Sequence, residues 1–223
     1  MPAEQSRNEI SRTMILESVW NVVAEQGFPG VTMRSVAKRA DVSLGRVQYY
    51  FSSKDDLVLE SCKALVAAVL AGETATDAVG AGKTEAKGTF ARERNAAAES
   101  KNSIDQLKSL LGAVIPQTKP AQRMAIVWHA YVAQAMVQPA LANIVVAAKR
   151  NKEQAVARVL LSLSAQGAGG ESMAGLEQEE ATSIARTLMA IADGLAQRVL
   201  TGDVAYRDAI DLLNWEIDGV FVD

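Results

Sequence analysis

The chain is poor in the residues that build catalytic metal centres and disulfide frameworks. It has one cysteine, Cys62, and one histidine, His129, among 223 residues. A single cysteine excludes an internal disulfide and fits a reducing compartment. With one histidine, a His/Cys metal cluster cannot be assembled, and Cys62 with His129 lacks any local motif of a nucleophile pair. The carboxylates are plentiful but fall into no recognisable acid–base pair, so no catalytic residues, metal ligands or cofactor are expected and an enzyme is disfavoured. Aromatics make up only 5% of the chain and prolines number five, which argues against a sheet-built protein. No apolar run approaches the ~18 residues of a membrane span. The opening Met1-Pro2-Ala3-Glu4-Gln5-Ser6 is polar and lacks the apolar core of a signal peptide. A soluble cytoplasmic protein without a membrane partner is the expectation.

What is present is half hydrophobic (49%), rich in alanine, and patterned with helical periodicity. The chain therefore reads as all-α. Ile10, Met14, Val19, Val22 and Val23 predict a first helix from Asn8 to Gln26, with Gly27 just past its end. Thr32 offers an N-cap for Met33–Ala40, and Ser43 does so for Leu44–Tyr50. Ser53 caps a fourth helix, with Asp55 and Asp56 in its first turn where the helix dipole favours them. Residues 71–103 are small and polar and are expected to be partly loop. Beyond them, 104–115, 120–137 and 139–164 predict three helices separated at Pro116 and Pro139. A glycine-rich loop at 166–175 precedes two more helices, 177–200 and 205–220.

Two short helices joined by the tight Asp41-Val42 turn make a helix-turn-helix, whose second helix can enter a major groove about 12 Å wide. Val36, Ala37, Ala40, Val42, Val47 and Phe51 supply its inner face. Arg34, Lys38, Arg39, Arg46, Gln48, Tyr49, Tyr50 and Lys54 are left for its outer face. The net charge of −3 does not suggest a nucleic-acid binder, but residues 32–54 hold five Lys/Arg against one Asp. Phosphates respond to that local excess. On chemistry alone, Arg46 suits a bidentate contact to guanine and Gln48 one to adenine.

Gly27-Phe28, Thr32, Val36-Ala37, Ala40, Val42-Ser43, Gly45, Val47, Tyr49-Tyr50-Phe51, Ser53-Lys54 and Leu57 together resemble the signature of TetR-type repressors. The pattern runs with fixed spacing from Gly27 to Leu57. Ala192-Asp193-Gly194-Leu195 resembles a helix of the subgroup that includes the betaine-responsive repressors. The resemblance implies a nine- or ten-helix protein that works as a homodimer on operator double-stranded DNA, with a small-molecule effector pocket in each C-terminal domain. By residue, it implies phosphate contacts from Thr32, Tyr50 and Lys54. Ser43, Leu44, Arg46, Gln48 and Tyr49 then meet bases or backbone, with Arg34 beside them. Gln48 stands where a tyrosine is frequent, which leaves open whether it reads a base or bonds a phosphate.

The expected division is a DNA-binding domain at 1–53 and an effector-binding and dimerisation domain at 54–223. Met124, Trp128, His129, Tyr131 and Gln134 are candidate effector contacts, with plain core packing as the alternative. Ile184, Leu188, Ile191 and Leu195 on one helix, and Ile210, Leu213 and Ile217 on the next, are candidates for a symmetric four-helix interface. Intramolecular core is their alternative. The expected function is a repressor released from its operator by an effector. An activator, or a helical adaptor of the same fold, remains as a rival.

Overall fold

The computed structural model describes residues 2–71, 103–165 and 175–220, and among these every regular element is helical. The elements are α1 (Pro2–Gln26), a 3₁₀ turn (Phe28–Gly30), α2 (Met33–Arg39), α3 (Leu44–Tyr50), α4 (Lys54–Ala71), α5 (Ser103–Gly112), α6 (Lys119–Ala135), α7 (Pro139–Ala165), α8 (Gln178–Thr201) and α9 (Tyr206–Gly219). Nearly all of the expected loop at 71–103 and of the glycine-rich loop at 166–175 falls outside the described residues. The expected helix ends agree within a few residues, save that α1 starts at Pro2 rather than Asn8. A proline is tolerated in a first helical turn because its missing N–H would have had no acceptor there.

The caps follow the chemistry of the side chains. Ser35 N–H donates to Thr32 Oγ1 at 3.0 Å while Thr32 N–H donates to Ser35 Oγ at 2.9 Å, a reciprocal capping box. Arg46 N–H donates to Ser43 Oγ at 3.1 Å, and Asp56 N–H to Ser53 Oγ at 3.1 Å. Gly27, at φ 66° and ψ −175°, leads out of α1 through a conformation essentially restricted to glycine. Between α2 and α3, Asp41 holds φ 53°, a left-handed position that aspartate tolerates better than most side chains.

The helices form two compact units. The first holds α1–α4, α6 and α7 up to Val146; the second holds α5, the remainder of α7, α8 and α9. This grouping differs from a division at residue 53, because α4 and α6 share a core with the helix-turn-helix. That core contains Ile15, Val19, Val36, Val47, Phe51, Leu57, Leu65, Val127, Tyr131 and Leu141, each at most 1% exposed. Burial of such side chains is worth roughly 1.5–3 kcal/mol apiece before entropy is counted. The second core gathers Leu107, Leu111, Leu160, Leu163, Ala185, Leu188, Ala192, Leu213 and Ile217. Among the described residues, no helix is long and apolar enough to cross a membrane.

Candidate nucleic-acid interface

α3 is only two turns long, so its orientation depends on what it packs against. Val47 points inward with no exposed surface, and Phe51 closes the helix at 1% exposed. Ser43, Gly45, Gln48 and Tyr49 face outward, with Tyr49 73% exposed. Leu44 is half-buried. Tyr49 and Tyr50 meet edge to face with centroids 5.1 Å apart. Thr32, Arg34, Lys38 and Lys54 are exposed as well. Among the described residues, Arg34, Lys38 and Lys54 form no ion pair, so their charge is available to an anionic partner. Nine side chains of this region were expected to meet DNA. Eight of them, Thr32, Arg34, Ser43, Leu44, Gln48, Tyr49, Tyr50 and Lys54, are exposed or half-exposed around α3, with the Tyr50 hydroxyl bonded to Asn8 of α1.

The ninth, Arg46, is turned sideways. Its Nη2 donates to Asn8 Oδ1 at 2.9 Å, its Nε reaches Ser11 Oγ at 3.4 Å, and its guanidinium lies 5.2 Å from the Tyr50 ring centroid. The Tyr50 hydroxyl donates to the same Asn8, whose backbone oxygen is 3.1 Å away. Arg39 is also engaged. Its Nη2 and Nη1 donate to the two carboxylate oxygens of Glu25 at 2.7 and 3.1 Å. Glu25 in turn accepts from Arg123 Nη2 at 2.7 Å, and Asn21 Oδ1 accepts from that same nitrogen at 3.1 Å. Glu25 thus joins α2, α1 and α6.

The hydrogen bond from Arg123, followed by the one from Arg39, holds the Glu25 carboxyl below its ordinary 4.5, against an opposing effect of burial. A depressed carboxylate stabilises the fold fully above its unfolded pKa and loses that contribution as pH falls through the folded value. Thermal melts between pH 7 and pH 3 are expected to show wild type losing stability below about pH 4.5. Glu25→Gln should start from lower stability at pH 7 and decline less steeply. Identical slopes for the two proteins would remove this role.

Of the candidate effector residues, Tyr131 is fully buried and packs edge to face on Phe28 with centroids 5.1 Å apart. Its hydroxyl shares a hydrogen bond of 2.5 Å with Ser61 Oγ on α4. The Ser61 carbonyl accepts from Trp20 Nε1 of α1 at 3.0 Å. Burial raises the Tyr131 phenol above its ordinary range, so it stays a neutral hydrogen-bonding group. Met124 and Trp128 are half-buried against the same core, and His129 and Gln134 are half-buried on α6. Cys62 is buried, which pushes its thiol up to about 11 and makes it a poor nucleophile at neutral pH.

The seven candidate interface residues all lie in or against the second core. Leu188, Leu195, Leu213 and Ile217 are buried there, and Ile184, Ile191 and Ile210 pack on it half-buried. The four buried members are used within the protomer, and Ile184, Ile191 and Ile210 keep part of their apolar surface. The apolar surface of α9 that stays exposed is instead Leu212 at 49% and Trp215 at 71%. Sequence reading missed that face, and also missed Asn8, Ser11, Glu25, Ser61 and Arg123. The only advance signal was position: on a helical wheel Trp215 lies opposite the Ala209, Leu213 and Ile217 stripe, and Leu212 lies on its flank.

Residues 15–61 match the model of bacterial regulatory proteins of the tetR family, and residues 103–221 match that of the BetI-type transcriptional repressor C-terminal domain. The chain belongs to the TetR family. It is a transcriptional regulator that acts through DNA, and the helix-turn-helix just described is the family's DNA-binding element. The HTH-type transcriptional regulator BetI of Burkholderia cenocepacia is 26% identical over 212 residues, spanning 94% of this chain and 93% of that one. A transcriptional regulator from Rhodococcus sp. Rha1 has a similar fold, with a TM-score of 0.71, 24% identity, and 94% and 95% of the two chains covered. So does a regulator from Saccharomonospora viridis solved in complex with choline, with a TM-score of 0.69, 21% identity, and 95% of each chain covered. At those identities the structural likeness speaks for the fold.

Proposed function

We infer that this TetR-family regulator is a repressor, bound as a homodimer to a roughly palindromic operator and released when a small effector binds at α6. The carrying observation is the Tyr131–Ser61 hydrogen bond, continued by Trp20 onto the Ser61 carbonyl. It ties α6 to α4 and α1 inside one core, so a displacement of α6 is passed to the unit that carries α3. The Arg123–Glu25–Arg39 bridge supports the same route to α2. Met124 and Trp128, packed half-buried against that core, and His129 and Gln134, half-buried on α6, are the proposed effector contacts. Thr32, Arg34 and Lys54 hold phosphates, and the outer residues of α3 meet the groove. Dimerisation places two recognition helices about one DNA turn, roughly 34 Å, apart.

An effector acts only by binding the DNA-incompetent state better than the competent one. Tenfold release requires about 1.4 kcal/mol of that difference. The test begins with sites selected from a random duplex pool and a gel shift on the recovered operator. Effector candidates are then titrated, starting with choline, the ligand of the Saccharomonospora neighbour, and extending to other small organic ions. A repressor of this kind loses operator affinity at least tenfold with its effector. Tyr131→Phe is expected to keep operator binding while weakening that release. An effector that binds and tightens the operator complex would make the protein an activator or co-repressed regulator instead. Failure to select any site would favour a helical adaptor.

A further inference from the structure

The two turns of α3 divide their side chains three ways. Val47 goes into the core, Gln48 and Tyr49 face outward, and Arg46 with Tyr50, four residues apart, both turn onto α1. These last two converge on one residue. Asn8 Oδ1 lies 2.9 Å from Arg46 Nη2 and 3.2 Å from the Tyr50 hydroxyl, and its backbone oxygen accepts from that hydroxyl as well. Ser11, one turn along α1, stands 3.4 Å from Arg46 Nε. The guanidinium also lies over the Tyr50 ring, 5.2 Å from its centroid. To present its fork to a guanine edge, Arg46 must leave the Tyr50 ring and both hydrogen bonds. Gln48 has no such ties, since none of the described residues bonds its amide, and its side chain is exposed on the outer face.

We propose that Arg46 is a positioning residue, and that Gln48 carries the base readout of α3. The Asn8–Arg46–Tyr50 clamp sets the rotation of the short recognition helix about its own axis. With the rotation set, the Gln48 amide faces the groove, where it can bond the N6 and N7 atoms of adenine. The assignment rests on the DNA-binding face described above.

The experiment compares the full chain with Arg46→Ala, Asn8→Ala, Asn8→Asp and Gln48→Ala, by selection from a random duplex pool and by gel shift on the recovered sites. Arg46→Ala and Asn8→Ala are expected to recover the wild-type motif and to lose affinity about three- to tenfold on every sequence alike. The double variant should be no more than about twofold weaker than either single one. That non-additivity marks a shared function. Asn8→Asp gives Arg46 a charged partner, and affinity should stay within about twofold of wild type. Gln48→Ala should flatten an adenine preference at one position of each half-site by about tenfold or more. Arg46→Gln covers the case in which alanine unfolds the helix. A positioning residue leaves the motif unchanged, whereas a base reader changed in this way exchanges a guanine for an adenine. Loss or exchange of a guanine at one position of each half-site, with Asn8→Ala keeping it, would overturn the assignment alone. A wild-type protein that enriches no motif would overturn the DNA-binding face and this assignment together.

Discussion

Phe51→Ala is expected to cost about 3–5 kcal/mol of stability in the first unit and to abolish operator binding with it. Phe51 is 1% exposed, sits at the C-cap of α3, and its N–H still donates to Val47 O at 3.0 Å. Its ring is crowded on several sides: the Tyr50 ring centroid is 6.3 Å away and the Arg12 guanidinium 5.5 Å. Deleting the ring removes transfer free energy and leaves a void that α1 and α4 cannot collapse into without losing their own contacts. Total stabilities of domains lie near 5–15 kcal/mol, so the loss is a large share of the whole. Urea denaturation monitored by far-UV circular dichroism reads the change as a lower midpoint at constant slope. Phe51→Leu, which refills most of the space, is expected to lose about 1.5 kcal/mol or less. An alanine variant within 1 kcal/mol of wild type would mean that α3 is anchored chiefly by its caps.

Leu212→Glu combined with Trp215→Arg is expected to turn the proposed dimer into a monomer and to weaken operator binding about 10²–10⁴-fold. The reason is mass action. In a dimer the second recognition helix meets its half-site at an effective concentration in the millimolar range, and a monomer has no such advantage. Both side chains are exposed on α9, while Ala209, Leu213 and Ile217 face the core. α8, which packs on α9, presents the small residues Ser183, Thr187, Ala190 and Gly194 outward, so a symmetry-related helix can come close. Light scattering should report a mass falling from twice 23.7 kDa to 23.7 kDa. The isolated fold should survive, because surface changes away from caps and core usually cost within about 0.5 kcal/mol. Leu213→Glu is the contrast, since an unpaired charge in the second core should unfold that unit. A double variant that stays dimeric would move the interface elsewhere.

These contrasts show where the sequence was readable. Thr32, Ser43 and Ser53 cap the helices they were expected to cap, because capping is settled between a side chain and a backbone group three residues away. The helix-turn-helix core, Val36, Ala37, Ala40, Val47 and Phe51, was legible for a similar reason: helical period assigns the inner face before any partner is known. The stripe on α8 and α9 was legible as a stripe and not in its destination. Periodicity says that Leu188, Leu195, Leu213 and Ile217 seek cover, and it is silent on whether the cover comes from this chain or from a second one.

Family, helical class and the place of the recognition helix were therefore determined by the sequence itself, since each depends on signals that act within a few residues. Tertiary structure alone decided which cations of residues 32–54 are free. Arg39 is taken up by Glu25, 14 residues away, and Arg46 by Asn8, 38 residues away. Glu25 reaches on to Arg123 across 98 residues. No local pattern records such pairings, because an ion pair or hydrogen bond is set by where two helices happen to cross. The excess charge that first pointed to DNA was real as a count, and packing chose which side chains remain to meet it.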